Sequence, residues 1–492
     1  MTVAQRPQDQ HRPNVPAAPG LVRRLGDALA AHAVLYCQWK GSRRPERWLT
    51  GAGDIDLLVD RTALPQLGQV LGALGFKRVE ASAGLTLPGT ESYFGYDPEL
   101  TRLVNVHVHY RLVFGRPWTM TYAPPVETAV LAGASRRFVF RAPAPEHELV
   151  LLVLRLALQC TARDTLLRPH PPWLVAAQAT LDQIERDASR AGVVEFLAAH
   201  LPSVDVALFD RCRRAVEADR PAWQRYVAGR ALRARLAPFA RRPKPVAVLR
   251  ALTDRLGSLV GDPRRYGHRM PRGSVVALLG ADGAGKSTCA SAITAWLDPD
   301  LATMNAHLGR PRRLALTYVV GAALKASTWW DRRRGRRGEG GSAGLTDYLD
   351  LLRHICTARD RYRLYRKAHR FAAAGGVVIT ERYPIPANYY LAGPSIAQGL
   401  GTPVNNGLTR LLRRWEASYY ERMSPPDVPI VHQLDPESAV RRKPDEPSDY
   451  VRDRAQAVWQ TDWKQVGADV IDAGRPLPEV LRDLKTHIWS RL

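Results

Sequence analysis

The sequence predicts an α/β protein built in three parts, and three stretches of the chain support this. After residue 271, short apolar runs alternate with helical patterns, which favours a doubly wound, mostly parallel sheet. Between residues 21 and 145, strand patterns outnumber helical ones, which indicates an α+β domain. After residue 145, the spacing of apolar residues becomes helical. We therefore expect a disordered tail over 1–20, an α+β domain over 21–145, a helical region over 146–245, a linker over 246–270 and the α/β domain over 271–492.

The α+β domain is predicted to contain two helices and four strands. Its second helix is expected to end at Gly75, a residue type that commonly terminates helices. The turn-forming pair Asp97-Pro98 separates the last two strands. The predicted elements are helices over 22–33 and 63–74 and strands over 34–39, 54–59, 91–96 and 103–112.

In the remaining two parts, apolar spacing indicates helices first and then alternating elements. The helical region is predicted to contain helices over 146–159 and 174–191. The predicted strands of the C-terminal domain cover 274–279, a run ending at 307–308, 376–380, 429–434 and 469–472. Its predicted helices cover 287–297, 347–374, 456–466 and 478–489.

The formal net charge of +24 comes mostly from arginines spread along the chain. Such a charge suits nucleic-acid binding, but phosphorylated small molecules also require arginines, and we favour a small phosphorylated substrate. No uninterrupted apolar stretch reaches the roughly 18 residues that span a bilayer, and residues 1–20 lack an apolar signal segment. The five cysteines are scattered and form no C-x-x-C pair, so we expect free thiols in a cytoplasmic protein.

One basic run stands apart from this background. Residues 332–337 are Arg-Arg-Arg-Gly-Arg-Arg, and a glycine-rich stretch follows them. We interpret the run as a solvated insertion loop. Because it directly follows Trp329-Trp330, contact with a membrane surface is the alternative.

A glycine-rich motif follows the first strand of the C-terminal domain. Residues 280–288 are Gly-Ala-Asp-Gly-Ala-Gly-Lys-Ser-Thr, which matches the phosphate-binding P-loop, G-x-x-x-x-G-K-[ST]. Glycines let successive backbone N–H groups point at phosphate oxygens, and the helix N-terminus adds partial positive charge. Lys286 is expected to reach the outer phosphates and Ser287 to ligate Mg²⁺. The motif therefore predicts a site for a nucleoside triphosphate with Mg²⁺.

Four motifs in order resemble the thymidylate-kinase family of P-loop nucleoside-monophosphate kinases, over residues 272–492. They are the loop with its internal Asp282, Val-Val-Ile-Thr-Glu-Arg-Tyr at 377–383, the strand and arginine-bearing segment at 432–443, and Val-Ile-Asp-Ala-Gly-Arg-Pro at 470–476. The resemblance implies a P-loop NTPase fold, ATP and Mg²⁺ as cofactors, and phosphoryl transfer from ATP to a nucleoside monophosphate.

The resemblance also implies roles for the matched residues. Those expected to bind ATP are Gly280, Asp282, Gly283, Ala284, Gly285, Lys286, Ser287 and Thr288. Those expected to act in catalysis are Lys286, Glu381, Arg382, Arg441 and Arg442, where an arginine of the lid neutralises the moving phosphoryl group. The expected metal ligands are Ser287 and Glu381, and the expected acceptor contacts are Asp282, Arg382, Tyr383 and Tyr390.

Several of these residues have a simpler alternative. Residues 381–382 could form an ordinary surface ion pair, and residues 441–443 could be a solvated helix face. Asp282 could cap the loop rather than contact an acceptor sugar. We interpret residues 435–436, Asp-Pro, as a helix start without a catalytic role.

The segment after Arg382 departs from the family. Pro386 replaces a serine, Tyr389-Tyr390 replace Ala-Tyr, and Leu391 replaces a glutamine. Phosphate handling is therefore expected to be intact while base recognition is altered. A different nucleotide or a sugar-related phosphate is the alternative acceptor.

The N-terminal domain carries two carboxylates spaced for one metal ion. Residues two apart on a strand project from the same face, so Asp54 and Asp56 are predicted to converge and to hold Mg²⁺. With Gly41-Ser42 before them, they resemble the signature of an uncharacterised branch of the nucleotidyltransferase family, which implies nucleotidyl transfer. That family adds a third carboxylate on a later strand.

In this chain His107 occupies the place of the third acid, and His109 lies on the same face. Imidazole is a poor ligand for Mg²⁺. Two hypotheses follow: the protein is bifunctional, or its N-terminal domain is a degenerate module that binds the substrate of the kinase. The sequence predicts no oligomeric state.

Overall fold

The computed structural model describes residues 20–51, 53–81, 88–115, 122–159, 171–241, 246, 249, 267–333, 344–400 and 406–492. The chain divides into two compact units, residues 1–265 and 266–492. Most of the predicted tail and linker, and the arginines of the basic run at 334, 336 and 337, lie outside the described residues.

The first unit contains a five-stranded mixed sheet. Its strands are β1 (Tyr36–Lys40), β2 (Ile55–Val59), β3 (Lys77–Val79), β4 (Thr90–Asp97) and β5 (Arg102–His109). The order is β1-β2-β5-β4-β3, in which β2 and β5 are parallel and the other pairs are antiparallel. A short hairpin follows, formed by β6 (Ser135–Arg136) and β7 (Arg141–Ala142).

Helices cover both faces of this sheet. They are α1 (Gly20–Ala31), α2 (Pro45–Leu49), α3 (Leu64–Ala73), α4 (Glu127–Ala132), α5 (Pro145–Gln159), α6 (Pro172–Asp187), α7 (Arg190–His200), α8 (Val206–Ala215) and α9 (Ala222–Arg235). Ile55 and Leu57 belong to the core that contains α1 and α3, whereas Leu58 belongs to the core around α5. Because strand side chains alternate, Asp56 shares the face of Leu58.

The second unit contains a five-stranded sheet that is parallel throughout. Its strands are β8 (Ser274–Gly280), β9 (Thr303–His307), β10 (Val377–Glu381), β11 (Val428–Gln433) and β12 (Asp469–Asp472). The order is β12-β11-β8-β10-β9, so β8 is central and all its residues are buried. The predicted α/β class and parallel sheet are confirmed. Continuous apolar runs mark such strands because helices cover both of their faces.

The helices of the second unit follow the strands in sequence. They are α10 (Lys286–Leu297), α11 (Ala315–Arg333), α12 (Leu345–Ala373), α13 (Tyr389–Ala392), α14 (Gly407–Glu421), α15 (Pro436–Arg442), α16 (Ser448–Gln460) and α17 (Leu477–Arg491). No helix of the described residues is both long and apolar enough to cross a bilayer.

Helix boundaries after β11 show one correct and one wrong prediction. Asp435 accepts a hydrogen bond from the Ser438 N–H at 2.9 Å and caps α15, which confirms the helix start at Asp-Pro. The helix predicted over 456–466 is wrong, because α16 begins at Ser448 and ends at Gln460. Asp462 then caps a separate 3₁₀ turn, where its side chain accepts from the Lys464 N–H.

Candidate functional site

The glycine-rich loop of the second unit joins the central strand β8 to α10. Gly280, Gly283 and Gly285 have φ angles of 133°, 84° and 74°, which residues with a Cβ adopt only with strain. A Cβ at Gly280 would lie 2.5 Å from the carbonyl oxygen of His432 on β11. Gly285 is the N-cap of α10 and offers no side chain to the helix amides. The turn therefore leaves the start of α10 open to an external acceptor of hydrogen bonds.

The predicted loop residues all fall on this turn. Asp282 and Ala284 lie between the glycines, and Lys286, Ser287 and Thr288 form the first turn of α10. The structure thus brings together the eight residues that the sequence assigned to ATP.

The Lys286 side chain folds back over the loop. Its Nζ donates a hydrogen bond to the Ala281 carbonyl at 2.6 Å, and the residue is only 7% exposed. Burial, with the nearby positive charge of Arg382, lowers the pKa of Lys286 to about 8. Its direct partner is neutral, so an anion that enters the loop could take over the ammonium group.

Two oxygen-bearing side chains meet beside Lys286. The Ser287 hydroxyl donates to Glu381 Oε2 at 2.5 Å, and Glu381 is the buried last residue of β10. Hydroxyl and carboxylate oxygens at this spacing suit Mg²⁺, which prefers oxygen ligands. The expected metal ligands are therefore adjacent, at the carboxyl edge of the parallel sheet.

Asp282 is held by two arginines. Arg382 has a φ of 54° and donates through Nη2 to Asp282 Oδ1. Arg454 Nε lies 3.4 Å from Asp282 Oδ2. The alternative interpretation of residues 381–382 as a surface ion pair finds no such contact among the described residues, since Glu381 binds Ser287 and Arg382 binds Asp282.

No sequence motif points to Arg454, which lies inside α16. It is placed there by two further contacts: Arg454 Nη1 donates to the Tyr450 hydroxyl at 2.8 Å, and Nη2 donates to the Leu391 carbonyl at 3.1 Å. The sequence contains one indication of this placement: Tyr450 and Arg454 are one helical turn apart, so their side chains are neighbours on the helix surface.

The predicted lid residues occupy the last turn of α15. Arg441 and Arg442 are exposed; Arg441 donates to the Ser438 hydroxyl at 2.6 Å and Arg442 to the Ala473 carbonyl at 3.0 Å. The next residue, Lys443, approaches the loop more closely. A Cβ at Gly283 would lie 3.4 Å from Lys443 Cγ, so the lysine stem lies against the glycine turn.

The two tyrosines among the predicted acceptor contacts lie in different surroundings. Tyr383 is fully buried, where its hydroxyl donates to the Ser424 carbonyl at 2.6 Å and lies 2.9 Å from His369 Nε2. Tyr390 is 46% exposed on the short helix α13. In this conformation Tyr383 is a core residue, and Tyr390 is available to a ligand.

His432 lies beneath the loop, on β11, and no motif reasoning singled it out as a site residue. It is fully buried and pairs in register with Gly280. Burial, with the positive charge of Lys286, lowers the pKa of His432 to about 4. The imidazole is therefore neutral near pH 7 and adds no second charge under the lysine.

In the first unit, the predicted acid pair converges as expected on one face. His107 Nδ1 lies 3.8 Å from both Asp54 Oδ2 and Asp56 Oδ1. Asp54 is exposed and accepts a hydrogen bond from Asn105 Nδ2 at 2.9 Å. Burial lowers the pKa of His107, so the imidazole tends to stay neutral.

Asp56 is neutralised by the chain itself. It is 3% exposed and accepts from Lys40 Nζ at 3.0 Å, and His109 Nε2 lies 3.2 Å from its Oδ1. Burial opposes ionisation, but Lys40 and His109 hold the pKa of Asp56 well below its usual range. No group of three or more His, Cys, Asp or Glu side chains among the described residues is placed to hold a metal ion.

The Gly41-Ser42 motif is also engaged by the protein. The Ser42 hydroxyl donates to Glu148 Oε1 at 2.7 Å, and Arg43 and Arg137 donate to Glu148 Oε2 at 2.8 and 3.1 Å. Glu148 is buried on α5. The Ser42 hydroxyl therefore ties the turn after β1 to α5.

Comparison with known proteins finds a similarity over part of the chain. No family model matches the chain. Over 218 residues the chain is 24% identical to a protein of Escherichia coli (strain K12) named "Uncharacterized ATP-binding protein YghS". The similarity covers 42% of this chain and 89% of the other protein.

Proposed function

We propose that the second unit binds ATP and transfers its terminal phosphoryl group to a small phosphorylated acceptor, most simply a nucleoside monophosphate. The observation that carries this proposal is the Lys286 ammonium, buried in an open glycine turn and bonded to a neutral carbonyl. A relative named as ATP-binding supports the same ligand.

The loop residues would hold the triphosphate through backbone N–H groups, while Lys286 exchanges the Ala281 carbonyl for phosphate oxygens. Ser287 and Glu381 would hold Mg²⁺, which supplies charge neutralisation on the phosphates. Transfer of a phosphoryl group requires two anionic molecules held in line, and little covalent chemistry from the protein.

Arg382 and Arg454 are the cations best placed for the acceptor. Both contact Asp282 at the edge of the loop. An acceptor phosphate would compete with this carboxylate for the two guanidinium groups, which bind phosphate in a bidentate manner. An arginine that neutralises the moving group contributes about 10³–10⁵ in rate in related chemistry.

Calorimetry of the full chain with ATP and Mg²⁺ tests the binding step. We expect binding that Lys286→Ala weakens by about 100-fold, whereas Lys367→Ala, at an exposed position of α12, leaves it unchanged. Undiminished ATP binding by the Lys286→Ala protein would reject the site.

A coupled assay of ATP consumption, run with nucleoside monophosphates and with sugar phosphates, tests the transfer step. Acceptor-dependent ADP release by the wild-type chain supports a kinase and identifies the acceptor class. ATP binding without release on any acceptor would reject phosphoryl transfer and retain an ATP-binding protein.

For the first unit we infer a binding module rather than a nucleotidyltransferase. The Lys40–Asp56 ion pair favours this, because a carboxylate already neutralised by lysine is a poor metal ligand. The full-length Lys286→Ala protein, incubated with labelled nucleoside triphosphates and Mn²⁺, tests it. Label transferred to an acceptor, and lost in the additional Asp54→Asn variant, would instead establish a transferase.

A further inference from the structure

Helix α11 presents its apolar side outward. Eleven of its residues are exposed: eight are apolar or aromatic, three are basic and none is acidic. The exposed residues are Ala315, Leu316, Tyr318, Val319, Ala322, Lys325, Ala326, Trp329, Trp330, Arg332 and Arg333. A surface helix of a globular protein normally has the opposite arrangement.

The inward side of α11 carries polar residues that bond to α12. Thr317 is buried and its hydroxyl donates to Asp360 of α12 at 2.6 Å. Near the other end, Thr346 of α12 bonds both Ser327 and Asp331. The single acidic residue of α11 is thus turned towards α12, and polar contacts fix which side of the helix faces out.

The apolar side extends to the point where α11 ends and α12 begins. Trp329 and Trp330 are about half exposed there, and Leu345 is 70% exposed. Asn406 donates to the Tyr348 hydroxyl at 2.9 Å, which brings the start of α14, with exposed Leu408, to the same end of α12. Trp329, Trp330, Leu345 and Leu408, with Arg332 and Arg333, form what we call the aromatic-basic end.

Among the described residues, the exposed charges at this end are basic. Arg332 and Arg333 are exposed, and the guanidinium of Arg333 lies 5.0 Å from the centre of the Trp329 ring. The two acids of this end are hydrogen-bonded within the protein, since Asp347 accepts from the Gly344 N–H at 2.9 Å and Asp331 accepts from the Thr346 hydroxyl. The aromatic-basic end therefore combines exposed aromatic side chains with exposed positive charge.

This charge pattern disfavours a second copy of the chain as the occupant. A parallel pairing of two α11 helices would place Arg332 and Arg333 against themselves. An antiparallel pairing would place them against the exposed Arg312 and Arg313, which precede the helix. Like charges across an interface oppose association.

We propose that the aromatic-basic end docks α11 onto the surface of an anionic lipid bilayer. Tryptophan suits the level of the headgroups, and arginine is attracted to anionic lipids. A helix with an apolar side and flanking basic residues lies in the plane of the interface without spanning it. The inference is independent of the proposed phosphoryl transfer.

Flotation of the full chain with vesicles tests this proposal. We expect binding to vesicles of phosphatidylcholine with phosphatidylglycerol, weak binding to phosphatidylcholine alone, and release by high salt. Each basic residue near an anionic surface contributes substantially to affinity, so Arg332→Gln with Arg333→Gln should weaken binding about 30-fold. Trp329→Ser with Trp330→Ser should weaken it about tenfold or more.

Matched variants control for general effects. Trp223→Ser alters an equally exposed tryptophan on α9, and Arg23→Gln with Arg24→Gln removes two exposed charges on α1; neither should change binding. Circular dichroism of each variant verifies the fold. Equal binding by wild type and both α11 double variants would overturn the proposal. The proposal would also be overturned if the chain did not float with vesicles and instead formed a concentration-dependent dimer that Trp329→Ser with Trp330→Ser abolishes. That result would assign the surface to a second copy of the chain.

Discussion

Each unit places a lysine near a carboxylate of a strand that has a parallel neighbour, but the two lysines have different partners. In the first unit Lys40 binds Asp56 directly at 3.0 Å, so the charges cancel within the protein. In the second unit Lys286 binds a neutral carbonyl, and Glu381 binds Ser287 instead. A charge cancelled internally holds the fold together, whereas a charge left on a neutral partner is available to a ligand.

The backbone turns of the two units also differ in how open they are to a ligand. The loop of the second unit keeps glycines at φ values that favour inward-pointing amides, and α10 begins without a side-chain cap. In the first unit Gly41 also has a positive φ, of 78°, but the adjacent Ser42 is bonded to buried Glu148. We therefore expect changes at the loop of the second unit to reduce ATP binding, whether or not they also affect stability, and changes at Asp56 in the first unit to affect stability alone.

The largest effect is expected at Gly280. In Gly280→Ala the new Cβ would meet the His432 carbonyl at 2.5 Å with φ at 133°, which should cost about 3 kcal/mol of unfolding free energy and abolish ATP binding. Urea unfolding and calorimetry measure the two. The control Gly321→Ala, inside α11 with no atom within 4 Å, should stabilise by about 1 kcal/mol. A fully stable Gly280→Ala protein that binds ATP would contradict the described turn.

The next largest effect is expected at Asp56. The sign of the change in unfolding free energy in Asp56→Asn distinguishes an ion pair with Lys40 from a metal site. Asp56→Asn removes the partner of Lys40 and His109, so the free energy of unfolding should fall by about 2 kcal/mol. If Asp54 and Asp56 instead formed an empty metal site, their two negative charges would repel each other. The same change would then relieve that repulsion and raise the free energy of unfolding. Thermal unfolding with and without Mg²⁺ or Mn²⁺ measures this, and we expect no effect of either metal on the first unit.

The pH dependence of ATP binding reports on Lys286. Its pKa of about 8 in the free protein means that the ammonium loses its proton above that pH, whereas bound phosphate would favour the charged form. Binding should therefore take up protons near pH 8 and be about tenfold weaker at pH 9 than at pH 7. Calorimetry in buffers of different ionisation enthalpy measures the uptake. Affinity that rises over this interval would exclude Lys286 as the phosphate-binding cation.

The smallest effect separates the basic residues that follow β11. The Lys443 stem lies against Gly283, whereas Arg441 is bonded to Ser438 within its own helix. Lys443→Ala should weaken ATP binding about threefold by removing a nearby positive charge, and Arg441→Ala should leave it unchanged. Calorimetry at low and high salt measures both. The reverse order of effects would support the lid role that the sequence assigns to Arg441.

Much of the fold was predictable because the buried strands carry their pattern locally. The runs at 274–279 and 376–380 predict β8 and β10 to within one residue, since buried parallel strands are continuously apolar. The helix predicted over 456–466 failed because helical spacing continues past the point where the Asp462 cap starts a new turn. Helix α14 was not predicted at all.

The sequence by itself determined the glycine turn, the lysine and serine after it, and the convergence of Asp54 and Asp56. Each depends on residues close together in the chain, whose backbone geometry and strand alternation follow from local rules. Only the tertiary structure decided that Arg454 reaches Asp282, that Tyr383 is buried against Ser424, and that Lys40 neutralises Asp56. Those contacts join residues from different elements, so their partners are set by packing rather than by spacing along the chain.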